Sequence, residues 1–99
     1  ENFTPENDFV SKINNEIFFR VQIAASKNSI DPKSYNFNGL KPIFKLKNGA
    51  LYKYFFSQSK NYKQILKDKR KARKKGFKTA FIVAFKGNKQ IKLSEALRN

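Results

Sequence analysis

The side chains best placed to do chemistry lie in two aromatic-rich stretches. Arg20 and Gln22 sit in Ile17-Phe18-Phe19-Arg20-Val21-Gln22-Ile23-Ala24-Ala25, and Lys53 and Phe55 in Leu51-Tyr52-Lys53-Tyr54-Phe55-Phe56. Alternation in the first stretch puts Phe19, Val21 and Ile23 on one face of a strand and Arg20, Gln22 and Ala24 on the other. If Tyr54 and Phe56 point the same way as Val21, then Lys53 and Phe55 join Arg20 and Gln22. Carboxamide, guanidinium and ammonium groups hydrogen-bond hydroxyls and acetamido groups, and the two cations also pair with carboxylates. An exposed phenyl ring packs on the apolar face of a sugar. The set therefore suits a polysaccharide strand lying across a sheet, whereas a lone Gln on a strand is more often a solvent-facing filler.

Catalytic chemistry is poorly supplied. Cys and His are absent, which excludes zinc fingers, disulfide scaffolds, thiol nucleophiles and imidazole acid–base catalysis. Outside the N-terminal segment the acids are Asp31, Asp68 and Glu95, too few and too dispersed for a carboxylate pair. No glycine-rich phosphate loop is present, and nothing singles out a Ser–Lys pair among 18 lysines. No catalytic residue, metal site or cofactor is expected.

The 99 residues hold 22 Lys+Arg against 7 Asp+Glu, a formal net charge of +15. Glu1, Glu6, Asp8 and Glu16 oppose Lys12 alone in residues 1–16, leaving 21 basic and 3 acidic residues, a net of +18, for the rest. Such a surface calls for an anionic partner: nucleic acid, acidic lipid or an anionic polysaccharide. Lysine outnumbers arginine 18 to 4, which favours diffuse attraction over bidentate readout. A 39% hydrophobic share, with 11 Phe and 4 Tyr, predicts a compact core despite the charge. No apolar run is long enough to cross a membrane.

These side chains need a scaffold. Residues 1–16, polar and Asn-rich, read as a linker or N-terminal arm, and 17–99 as one domain. The first strand covers Ile17–Ala25. Asp31-Pro32 suits an N-cap followed by proline at the first helical position, with a short turn over Pro32–Phe37 ending near Gly39. Ile43–Lys47 and Leu51–Phe56 read as strands joined by a type I′ turn at Asn48-Gly49. Tyr62, Ile65, Leu66 and Ala72 form the apolar stripe of a helix over 62–75, with Gly76 at C′. Thr79–Phe85 is a strand apolar on both faces, its orientation left open, and Gly87-Asn88 a further turn. Ser94 caps a last helical turn through Leu97. The order β, short α, β, β, α, β predicts an α+β fold: a ferredoxin/RNP-like βαββαβ sandwich, four antiparallel strands with two helices on one face.

Two further signals bear on partner class. Ten basic residues between Lys60 and Lys78 face only Asp68, which reads either as a solvated helix face or as general attraction to polyanions. The apolar stripe is short and needed by the sheet, so a membrane-surface helix is disfavoured. Lys75-Gly76-Phe77 with Phe81-Ile82-Val83-Ala84-Phe85 is similar to the aromatic strand of RNA-recognition motifs. Lys78-Thr79-Ala80 intervene where one small residue belongs, and too little chain follows for the second helix. A basic RNA-binding or other nucleic-acid-binding domain is the alternative reading. A protein–protein adaptor is a third.

From Ile17 to Phe85 the chain resembles a SPOR (sporulation-related) domain. Phe19-Arg20-Val21-Gln22-Ile23 matches that family's aromatic-x-Val-Gln-hydrophobic first strand, and Leu51–Phe56 the strand after its central hairpin. Tyr62 to Gly76-Phe77 and Ala80-Phe81-Ile82-Val83 match its second helix, closing glycine and last strand. The departures are Ala24-Ala25-Ser26 for the family's Gly-Ser-Phe, a Pro-interrupted first helix over Ser29–Pro42, and no Trp. The resemblance implies a non-catalytic module for peptidoglycan glycan strands denuded of stem peptides. Their freed lactyl carboxylates form a regular polyanion. It implies that Gln22 hydrogen-bonds the sugar, that Arg20 and Lys53 pair with carboxylates, that Phe55 packs on a ring, and that Ser26 contacts ligand at the strand end. It also implies a monomeric module in the periplasm or cell envelope, appended to a division protein or serving as the targeting domain of an N-acetylmuramoyl-L-alanine amidase.

Overall fold

The computed structural model describes residues 16–98. The linker expected over 1–16 lies outside the described residues except for Glu16. The elements are β1 (Ile17–Ser26), a 3-10 turn (Ser34–Asn36), β2 (Ile43–Asn48), β3 (Leu51–Ser59), α1 (Tyr62–Lys74), β4 (Phe81–Lys86), β5 (Lys89–Ile91) and α2 (Leu93–Leu97). All strand pairs are antiparallel, in the order β2-β3-β1-β4-β5.

The α+β class holds, but the ferredoxin/RNP-like βαββαβ sandwich does not. The sheet has five strands, curls into a half-barrel and carries one main helix. Where a first helix was expected there is a three-residue 3-10 turn. Pro32, Gly39 and Pro42 bracket too short a segment for a helical nucleus to propagate. Asp31 does not cap it: Lys33 occupies the cap position, and the Asp31 carbonyl accepts from Lys33 N and Asn36 Nδ2. Lys89–Ile91, only three residues, forms the extra edge strand after the Gly87-Asn88 turn.

The hairpin between β2 and β3 sits one residue later than expected. Asn48 pairs with Leu51, so the loop is Gly49-Ala50. Gly49 has φ +62° and Ala50 does not share the positive φ, which suits a type II′ turn rather than I′. In α1 the Asn61 side chain accepts from Gln64 N, an N-cap bond. The helix ends as the stripe predicts: Gly76 takes φ +113°, Phe77 N donates to Ala72 O and Gly76 N to Arg73 O, a Schellman closure. Arg73 then donates Nε and Nη2 to Ala80 O, at 3.0 and 2.8 Å, tying the helix end to the start of β4. The last turn begins at Leu93, with Lys92 rather than Ser94 at its cap position and no side-chain cap bond.

The main core lies between the sheet and the helices. Phe19, Val21 and Ile23 of β1, Tyr54 and Phe56 of β3, and Ile82 and Ala84 of β4 pack with Ile65 and Ala72 of α1, and with Phe37, Leu40 and Ala96. Tyr54 hydroxyl accepts from Ile30 N at 2.7 Å, so the loop after β1 is held against this core. A second, smaller cluster occupies the other face: Phe55, Val83 and Phe85, flanked by Phe18, Phe44 and Leu46. Among the described residues no helix covers that face. Nor is any helix of the described residues long and apolar enough to cross a membrane.

Candidate functional site

Register places the candidate residues. Gln22 lies between Phe55 of β3 and Phe81 of β4, and Arg20 opposite Val83. Antiparallel partners share a face, so Arg20, Gln22, Phe55, Phe81, Val83 and Phe85 all stand on the side without helices. Phe44 and Leu46 of β2 join them through Phe55 and Lys53. The open orientation of β4 is thereby resolved: Ile82 and Ala84 enter the main core, and Phe81, Val83 and Phe85 face away from it.

Arg20 is the centre of this face. Its guanidinium carbon lies 4.3 Å from the Phe44 ring centroid, 4.9 Å from Phe85, 5.2 Å from Phe18 and 5.9 Å from Phe55. The ring faces, negative in their quadrupole, hold a cation that would otherwise stay in water. Nε and Nη2 both donate to Gln58 Oε1, at 3.0 and 2.8 Å. Gln58 reaches this face because the β1–β3 register slips between Phe19 and Val21, with Ser57 at φ +69°. Partial burial lowers the Arg20 pKa from its ordinary value, since desolvation penalises the charged form. The group stays cationic at any physiological pH. Arg20 has no carboxylate partner among the described residues. An anion that arrives with its own apolar surface would complete it.

Lys53 shares the face: it alternates with Phe55 along β3 and pairs with Leu46 and Ala25. Gln22 is half-buried beside Phe81, which is 47% exposed.

Two expected site residues are placed otherwise. Phe55 is fully buried, at 0% exposure, edge-on to Phe85 at 5.5 Å. It supports the floor and offers no ring to a sugar. The exposed ring on this face is Phe81, the cross-strand neighbour of Gln22. Ser26 falls on the opposite face. A second register slip between Gln22 and Ala24 turns Ala24 into the main core, and Ser26 pairs with Tyr52, which packs on the same side. One added residue reverses every later side chain. Ser26 Oγ accepts from Asn28 N, a local turn bond.

Sequence reasoning also missed Gln58 and Phe44. Phe81 was legible in principle, since Ile82 and Ala84 are the small and β-branched residues a helix packs against. Gln58 was not, because nothing in Phe56-Ser57-Gln58 marks a bulge.

The opposite surface carries the basic helix. Its nearby acid, Asp68, accepts from Ser57 Oγ at 2.6 Å and Gln64 Nε2 at 3.3 Å. Lys63, Lys67, Arg70, Lys71 and Lys74 of α1 are exposed or nearly so, on the side away from Ile65 and Ala72. Among the described residues no group of three or more acidic side chains could hold a metal ion. No family model, curated protein or solved structure matches the chain.

Proposed function

We propose that the chain is a non-catalytic binding module for bacterial peptidoglycan, recognising glycan strands denuded of their stem peptides. One observation carries this reading: a half-buried guanidinium without a carboxylate partner among the described residues sits on the helix-free face of the sheet, flanked by Gln22 and the exposed ring of Phe81. Arg20 takes a lactyl carboxylate, with its aromatic floor excluding water from the pair. Gln22 hydrogen-bonds sugar hydroxyl or acetamido groups, Phe81 packs on a pyranose ring, and Lys53 supplies a second, more hydrated cation. The resemblance of Phe19–Ile23, Leu51–Phe56, Tyr62–Phe77 and Ala80–Val83 to SPOR domains supports the same ligand. In this reading the module works as a monomer in the periplasm or cell envelope and targets a wall or division protein, such as an N-acetylmuramoyl-L-alanine amidase.

The test is co-sedimentation with purified sacculi, intact and amidase-treated, at about 0.05 and 0.5 M salt. Phosphate-driven complexes lose orders of magnitude in affinity over such a range, whereas partly buried ion pairs, hydrogen bonds and ring packing are less screened. Capture should rise after amidase treatment and survive high salt. Equal capture of every polyanion, vanishing at high salt, would contradict the reading.

The second reading, a basic nucleic-acid-binding domain, is favoured by the α1 surface, whose single acid is already engaged by Ser57 and Gln64. It predicts competition by RNA and duplex DNA, and uniform weakening across sequences when lysines along Lys67–Lys75 are removed.

A further inference from the structure

Beside the anchor of Arg20 lies a cavity of about 260 Å³ lined by Glu16, Phe18, Gln58, Ser59 and Lys60. Its donor is fixed by its neighbours. Because Arg20 donates twice to Gln58 Oε1, and only the oxygen of a carboxamide can accept, the orientation of that amide is set. Gln58 Nε2 is turned away from Arg20, and its two N–H groups have no acceptor among the described residues. Ser59 lines the cavity at the end of β3, but Ser59 pairs with Phe19, so its side chain belongs to the helix side, where Oγ accepts from Asn61 N at 3.0 Å. Phe18 supplies an apolar wall, held in place by stacking on Phe85 at 5.5 Å. At the far end Glu16 and Lys60 form an ion pair. Their charges cancel, so the cavity does not select a charged ligand.

One oriented donor, one phenyl wall and a neutral rim describe a receptor for a small uncharged group with a carbonyl at one end and a methyl at the other. We propose that this cavity takes the N-acetyl group of an amino sugar, with Gln58 Nε2 donating to the acetyl oxygen and the methyl against Phe18. The assignment rests on the glycan reading above and adds to it: Arg20 selects the acid, and Gln58, oriented by Arg20, selects the acetamido group of a sugar on the same strand. Gln58 is thus a specificity-determining residue.

Two neutral probes of one length and one linkage isolate the acetyl group: the β-1,4 tetrasaccharides of N-acetylglucosamine and of glucose. In ¹H–¹⁵N titrations of the full chain, the Gln58 side-chain amide signals should move with the first and not with the second. The first should bind at least about fivefold tighter, a difference of about 1 kcal/mol, as one hydrogen bond provides. Gln58→Met should remove this preference. Phe18→Leu, which keeps the small cluster filled, should reduce it. Equal response to both tetrasaccharides, or to neither, overturns the subsite if amidase-treated sacculi are still captured. If the sacculi are not captured either, the glycan reading fails with it.

Discussion

The two faces of the sheet solve the same burial problem by different means. On one face Phe19, Val21, Tyr54, Phe56, Ile82 and Ala84 are sealed by α1 through Ile65 and Ala72. On the other face Phe55, Val83 and Phe85 are just as buried, yet among the described residues no helix covers them. Phe18, Phe44 and one guanidinium cover them instead. A helix seals a core permanently, and its own polar backbone is satisfied internally. A guanidinium on aromatic rings seals only partly and keeps at the surface a charge that no carboxylate matches among the described residues. The first face is built for stability, and in the proposed function the second leaves part of its interaction energy for an anion. Differences in stability and in binding should therefore separate cleanly between them.

The largest effect is expected on the helix-covered face. Phe56→Ala should cost about 3–5 kcal/mol of stability, the range for a buried phenyl deletion, and abolish binding only because the fold fails. Chemical denaturation monitored by circular dichroism measures it. Arg20→Met on the other face should do the reverse. A thioether chain fills much of the same space, and the cation–π attraction it forfeits is worth about 0.5–2 kcal/mol. With the two bonds to Gln58 Oε1 also lost, stability should fall by no more than about 3 kcal/mol, while affinity for denuded glycan drops tenfold or more, as expected for a lost charge-assisted bond of about 1.5–3 kcal/mol. If Arg20→Met unfolds the chain, the two faces are not separable in this way. Phe81→Ala should be milder still, lowering glycan affinity several-fold with little change in Tm, since the ring is half exposed.

The smallest effect should come from the basic helix. Replacing Lys67, Lys71 and Lys74 by Gln should reduce retention on any polyanion at about 0.05 M salt and leave capture of amidase-treated sacculi at 0.5 M unchanged. That outcome would assign α1 a role in attraction and the sheet the role in recognition.

Much of this was legible in the sequence because it depends on local patterns. The alternation of Phe19, Val21 and Ile23, the stripe of Tyr62, Ile65, Leu66 and Ala72, and Gly76 as a left-handed terminus all follow from periodicity and chain stereochemistry. So does the shared face of Arg20, Gln22 and Lys53. What was not legible depends on single-residue insertions and on curvature. Bulges carry no composition of their own, so the slips that send Ser26 to one face and Gln58 to the other leave no trace in residue type. Phe55 reads as exposed if the helix-free face is flat and bare. It is buried because three neighbouring strands bring Phe18, Phe44 and Phe85 around it. A ferredoxin-like plan follows from the order of the longer segments, but a proline- and glycine-bounded stretch cannot supply its first helix, and a three-residue strand such as Lys89–Ile91 is too short to announce itself.

The most direct measurement is a residue-by-residue map of ligand contact. The ¹⁵N-labelled chain would be titrated with soluble glycan fragments bearing free lactyl groups, following backbone amides and the side-chain signals of Arg20 and Gln22. The account predicts that perturbations concentrate on β1, β3 and β4 around Arg20, Gln22, Lys53 and Phe81, with α1 unaffected at about 0.15 M salt. Perturbations confined to Lys63–Lys75, or spread evenly over all lysines, would contradict it.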